Sequence, residues 1–126
     1  MAKRILVIDD DASVRDAFEL ALLSSGYIVE CAEDGLSGIE TAGKHRPDLV
    51  FLDLKMPGID GVETLRRIRA QDKNPPPVYI VTAFAREFME PLQQVRADKI
   101  PFQLASKPLT SDQILQIAKA VLGDPS

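Results

Sequence analysis

The chain of 126 residues contains one cysteine, one histidine and no tryptophan. With Cys31 alone, no internal disulfide can form, so a packed core must hold the fold and a reducing cytoplasm is the expected setting. With His45 and Cys31 as the whole supply of soft ligands, a zinc centre is excluded. His45 lies between Lys44 and Arg46 and is expected on the solvated surface. No apolar run approaches the roughly 20 residues that cross a bilayer. Met1-Ala2-Lys3-Arg4 leads directly into the first apolar run, so neither a signal peptide nor a membrane association is expected. Basic residues are also in short supply, 15 against 19 acidic ones. The resulting net charge of −4 argues against direct nucleic-acid binding, which needs clustered Lys and Arg to neutralise phosphates. There is no internal repeat, and the only low-complexity tract is Pro75-Pro76-Pro77.

What remains is an ordinary globular composition, 45% hydrophobic and 27% charged, in a length suited to one domain. Apolar runs of strand length, Arg4–Asp9, Tyr27–Ala32, Asp48–Asp53, Val78–Thr82 and Phe102–Ser106, alternate with segments of helical period. Val14, Ala17, Phe18, Ala21 and Leu22 form one apolar stripe, and Ile114, Ile117, Ala118, Val121 and Leu122 repeat its spacing. Ser13 with Asp16, and Thr110 with Gln113, have the form of capping boxes. Helices are also expected over 35–45 and 61–71, capped by Asp34 and Asp60. Between Ala85 and Ile100 a helix must either start late, with Pro91 at its first position, or break at Pro91. Five strand–helix pairs with near-continuous Val, Ile and Leu strands predict an α/β fold, a parallel sheet covered on both faces. Ligands of such sheets bind beyond the carboxyl ends of the strands.

Those ends are strongly polar. The first strand runs into Asp9-Asp10-Asp11, the third into Asp53, the fourth into Thr82 and the fifth into Lys107. Two carboxylates about 4 Å apart repel by roughly 4 kcal/mol at an effective dielectric near 20. A hard divalent cation removes that cost, and Mg²⁺ takes oxygen ligands of this kind. An oxygen-lined cation site beside one ammonium and one hydroxyl suits phosphoryl chemistry, in which a carboxylate can itself be the nucleophile. Asp53 is the best candidate nucleophile. The turn signal Met56-Pro57-Gly58-Ile59 follows it and is expected to leave its carboxylate open to solvent. Asp11 is expected to serve the start of the first helix rather than the metal.

The stretches "ILVIDDD", "DLVFLDLKMPGIDG", "VYIVTA" and "SKPL", in this order, resemble the receiver domain of bacterial two-component response regulators. The resemblance covers Arg4 to about Leu122 and implies a single domain over 1–126 with its core at about 4–122. The fold it implies is a doubly wound five-stranded parallel sheet of flavodoxin-like order, a (βα)5 three-layer sandwich. It further implies a phosphorylation-dependent signalling switch rather than an enzyme in the usual sense, one that assists only its own Mg²⁺-dependent phosphorylation and dephosphorylation. Asp53 would accept a phosphoryl group from the phosphohistidine of a sensor histidine kinase or phosphotransfer protein. Asp10 would ligate Mg²⁺ directly, Asp9 mainly through water, and Asp53 and the backbone carbonyl of Lys55 would complete the protein ligands. Lys107 would pair with the phosphoryl group, Thr82 would turn toward it, and the Lys107–Pro108 peptide would be cis. The surface of the fourth helix, fifth strand and fifth helix would carry the change to a downstream protein that the sequence does not identify. Phosphorylation-linked dimerisation, and whether the chain stands alone or is cut from a larger regulator, are left open.

The sequence departs from the family pattern in places. Leu104 occupies the switch position three residues before the lysine, where the family usually has an aromatic residue. The stretch from Thr82 to Lys107 is a few residues longer than usual, with "VRADKIPFQLASKP" in place of a shorter Gly-Ala-Asp connection. Lys55 and Phe84 stand two positions after Asp53 and Thr82, where family members vary. One alternative is a receiver-like interaction module that is not phosphorylated. A second is a phosphohydrolase of the haloacid-dehalogenase type, which Asp9 and Asp11 would suit as Asp-x-Asp. That type needs an acidic pair after the lysine, where this chain has Pro108-Leu109-Thr110-Ser111 and then only Asp112. A flavodoxin is nearly excluded, because three carboxylates would repel the flavin phosphate.

Overall fold

A computed structural model describes residues 2–125. Five strands and five helices alternate as β1 (Arg4–Ile8), α1 (Ala12–Leu23), β2 (Ile28–Ala32), α2 (Gly35–Lys44), β3 (Leu49–Leu52), α3 (Gly61–Ala70), β4 (Val78–Thr82), α4 (Met89–Ala97), β5 (Gln103–Ser106) and α5 (Ser111–Leu122). All neighbouring strands are parallel, in the order β2-β1-β3-β4-β5, the doubly wound flavodoxin-like arrangement expected. Strands end slightly inside the expected bounds. Asp9, Asp48 and Asp53 flank the ladders rather than extend them.

Side chains alternate across the sheet and divide the core in two. Leu6, Ile8, Val50, Leu52 and Ile80 pack under α2, α3 and α4, with Ala42, Leu65, Ile68, Leu92 and Val95. Ile5, Val7, Leu49, Phe51 and Val81 face α1 and α5, with Phe18, Leu22, Ile114 and Ala118. The Phe18 and Phe51 rings meet edge-on at 5.0 Å. Both faces of the central strands are therefore buried, which is why their sequences are almost wholly apolar.

The caps of α2, α3 and α5 are as expected. Asp34 accepts from the Ser37 N–H, Asp60 accepts from the Glu63 N–H, and Thr110 and Gln113 form a reciprocal capping box. At α1 the capping box expected at Ser13 is corrected, and Asp11 serves the helix start as expected: it is the N-cap, and its carboxylate accepts from both the N–H and the hydroxyl of Ser13. The helix between Ala85 and Ile100 starts late. Pro91 sits at its third position, where backbone N–H groups lack intrahelical acceptors anyway, and no side chain caps it. Its far end is closed by bonds from the Lys99 N–H to Arg96 O (2.9 Å) and from the Ile100 N–H to Val95 O (3.2 Å). Together they form a Schellman motif. Lys99 occupies its left-handed position with φ of +62°.

Candidate functional site

Register places the acids. Ile8 pairs with Leu52 across β1 and β3, so the next residues, Asp9 and Asp53, emerge side by side, and the Asp53 N–H donates to Ile8 O at 3.0 Å. Thr82 pairs with Ser106 across β4 and β5, and the Lys107 N–H donates to Thr82 O at 3.0 Å. One rim at the carboxyl ends of four strands thus holds Asp9, Asp10, Asp53, Thr82 and Lys107.

Carboxylate oxygens of Asp9, Asp10 and Asp53 lie within 4.8 Å of one another. Asp10 is exposed, and Asp9 and Asp53 are each 3% exposed. The open carboxylate expected at Asp53 is therefore corrected: it is buried under its neighbours. The Pro57-Gly58 turn does form, with Gly58 at φ +78° as a type II turn requires. It carries the chain away from Asp53 without uncovering it. Lys107 Nζ bridges the two buried acids, at 2.7 Å from Asp9 Oδ2 and 3.1 Å from Asp53 Oδ2. The other Asp53 oxygen accepts from the Leu54 N–H at 2.7 Å, and the other Asp9 oxygen accepts from the Asp11 N–H at 2.9 Å.

Burial pushes the Asp9 carboxyl above the usual value, and the hydrogen bonds from Lys107 and the Asp11 N–H do not fully offset it. Burial also works to lower the Lys107 ammonium, but its bond to Asp9 and the charges of Asp53 and Asp9 outweigh burial and hold it above the usual value. Three acids facing one ammonium leave uncompensated negative charge. An all-oxygen donor set with that surplus suits a hard cation, so the residues present fit Mg²⁺.

The remaining expected residues are distributed around this cluster. The Thr82 hydroxyl is buried and accepts from the Phe84 N–H at 3.1 Å. The Lys55 side chain reaches Glu87 Oε1 at 3.2 Å and lies 4.5 Å over the Phe84 ring, tying the loop after β3 to the loop after β4. Leu104 does not join the acids. Gln103 and Ala105 face α5, so Leu104 points to the α4 side of the edge strand, where it is 40% exposed. The Lys107–Pro108 peptide is cis, as the resemblance implied. His45 is exposed as expected, with Nδ1 3.1 Å from Glu30.

Two supporting residues escaped the sequence reading. Arg15 donates to the backbone carbonyl of Asp9 at 2.8 Å, bracing the strand end from α1. Gly61 lets α3 start hard against the loop after β3: a Cβ there would fall 2.2 Å from Asp53 O and 2.7 Å from Leu54 Cα. A glycine directly after an Asp N-cap, where better helix formers are usual, was the available signal for Gly61.

Known proteins resemble this chain in sequence and in fold. A family model described as the response regulator receiver domain matches residues 5–119. Response regulator MprA of Mycobacterium sp. (strain KMS) is 35% identical over 124 residues, covering 97% of this chain and 51% of that protein. The chain thus spans about half the length of the curated relatives it matches. Chemotaxis protein CheY4 of Vibrio cholerae superposes with a TM-score of 0.81 at 27% identity, over 97% of this chain and 100% of that one. Response regulator TrrA of Thermotoga maritima, solved in complex with Mg²⁺ and BeF, gives 0.79 at 29% identity, over 95% and 99%.

Proposed function

The chain belongs to the response regulator receiver domain family, and from that premise we propose that Asp53 is the acceptor of a phosphoryl group that switches the domain between two states. The observation that carries the proposal is the convergence of Asp9, Asp10 and Asp53 within 4.8 Å, with Lys107 bridging the two buried acids.

The donor is a phosphohistidine on a sensor histidine kinase or phosphotransfer protein. A carboxylate oxygen of Asp53 attacks phosphorus; the P–O bond forms as the P–N bond breaks, and the imidazole nitrogen leaves with the bonding pair. Asp10, Asp53 and the Lys55 carbonyl would hold Mg²⁺, with Asp9 mainly through water. When bound it supplies positive charge to the phosphoryl oxygens. Lys107 transfers its pairing from the acids to the phosphoryl group. Once formed, the acyl phosphate carries about −1.5 to −2, if it titrates like other phosphoryl side chains. The Thr82 hydroxyl then has a stronger partner than the Phe84 N–H and turns toward it. The face of α4, β5 and α5, with Leu104 at its centre, follows as a population shift and presents a changed surface to a downstream protein. The domain spans 1–126 as one unit in this reading.

Incubation with a small-molecule phosphodonor, followed by intact mass, tests the proposal. One phosphoryl group should be gained in the presence of Mg²⁺, none without it, and none in Asp53→Asn. Lys107→Ala should still bind Mg²⁺ but lose the spectral changes that accompany phosphorylation. Failure of the wild type both to bind Mg²⁺ and to gain mass would favour the non-phosphorylated interaction module, whereas Mg²⁺ binding without a gain in mass would call for a kinase as donor.

A further inference from the structure

At the opposite end of the sheet, beyond the amino ends of β3, β4 and β5, lies an open cavity of about 460 Å³. That volume falls within the range of about 300–1,000 Å³ typical of small-molecule sites. Pro75, Pro76 and Pro77 form one wall, the tract that composition singled out and that the acidic rim does not use. Their fixed φ angles make the wall rigid before any ligand arrives, which lowers the ordering cost of binding. Ile68 and Phe102 supply apolar surface from α3 and from the residue just before β5.

The charge of this cavity is opposite to that of the domain. Its lining includes Arg69 and Arg96 and no carboxylate, in a chain of net charge −4. Arg96 lies over the Phe102 ring, with Cζ 4.3 Å from the centroid. Arg66 and Arg67, on the same helix as Arg69, pair with Asp98 and Glu63 at 2.9 and 2.7 Å. Among the described residues, Arg69 and Arg96 have no such partner. Two guanidiniums without a carboxylate partner among the described residues, lining a rigid apolar pocket, complement an anion with an apolar body.

We propose that this cavity binds a small molecule with a compact apolar body and one oxyanion group, a carboxylate or a phosphate ester. Arg69 and Arg96 hold the oxyanion, and the body packs against the prolines and Phe102. The site shares no residue with the acidic rim, so the two readings stand or fall separately.

Amide NMR titrations of the ¹⁵N-labelled chain in EDTA test it, with 1-naphthoate, 1-naphthyl phosphate and the neutral 1-naphthalenemethanol as probes. Expected are saturable shifts confined to the amides around Ile68, Val78, Phe102 and Val121, with the alcohol about tenfold weaker than the better anion. The tighter of the two anions identifies the oxyanion. The double variant Arg69→Gln/Arg96→Gln should lose about tenfold in anion affinity, keep its affinity for the alcohol, and keep the wild-type spectrum elsewhere. Equal binding of alcohol and anions, or no saturable shift at these amides, would overturn the proposal. Shifts at the same amides on simple dilution of the ligand-free protein would also overturn it, assigning the surface to a second copy of the chain.

Discussion

β3 and β5 are both four-residue strands that deliver a charged side chain to the same rim, yet they are built in opposite ways. Every residue of β3, Leu49 to Leu52, is at most 1% exposed, between β1 and β4 and beneath helices on both faces. β5 pairs with β4 alone, and only Ala105 of its four residues is even half-buried. Asp53 therefore stands at the end of a fully buried strand, whereas Lys107 and Leu104 stand on an edge with little apolar burial to resist displacement. A phosphoacceptor needs a fixed position, and a responding surface needs two arrangements of similar free energy. Under the proposed function, β3 suits the first need and β5 the second.

Substitutions can break or sharpen that contrast. Leu52→Ala should cost about 2–5 kcal/mol in urea unfolding, because its surroundings cannot collapse around the lost atoms. Leu104→Ala, on the exposed edge, should stay within about 0.5 kcal/mol. Similar losses for the two would remove the distinction.

The next effect falls on the loop that joins β3 to α3. Gly61→Ala should cost about 1–3 kcal/mol, since the new methyl meets backbone rather than a flexible side chain. It should also slow phosphorylation of Asp53 by displacing its carbonyl. A Gly61→Ala variant that folds and phosphorylates at the wild-type rate would show that α3 does not position the acceptor.

On the edge-strand side, Lys99→Gly should stabilise the chain by about 0.5–1 kcal/mol, as glycine adopts the left-handed Schellman position without a Cβ penalty. A loss of stability on this substitution would mean that the Lys99 side chain contributes more than its backbone costs.

The smallest effect is one of pH dependence. The Asp9 carboxyl is raised from 3.8 in the folded protein, so its contribution is favourable below 3.8 and is lost as pH rises through the folded value. Lys107 is raised from 10.5, so its contribution persists across that window and fades only in alkali. In Mg²⁺-free buffer, the wild type should therefore lose stability relative to Asp9→Asn between acid and neutral pH, read as urea midpoints. A relative gain over that window would contradict the assigned cost of burying Asp9.

The fold was legible because the packing that fixes it also writes the sequence. Strands buried on both faces must be apolar throughout, Asp34 and Asp60 mark helix starts, and Thr110 is picked out from Ser111 and Asp112 by Gln113 three residues on. Legibility fails where neighbours offer equivalent chemistry or where the determinant is non-local. Asp11 and Ser13 can each cap α1, and only the backbone path decides for Asp11. The burial of Asp53 depends on Asp9 and Lys107, 44 and 54 positions away, so the adjacent turn gave a misleading picture. The cavity at the amino edge draws on β3, α3, β4, α4, β5 and α5, and apart from the three prolines no local pattern announces it.

The central claim is that one buried carboxylate, at the end of a strand covered on both faces, is the phosphoacceptor. Borohydride reduces an aspartyl phosphate to homoserine, so reduction after incubation with a phosphodonor and Mg²⁺, followed by peptide sequencing by mass, reads the acceptor directly. The account predicts homoserine at position 53 and at no other aspartate. Homoserine at position 9, as attack by a strand-one acid would leave, or its absence from a protein that has gained phosphoryl mass, would contradict it.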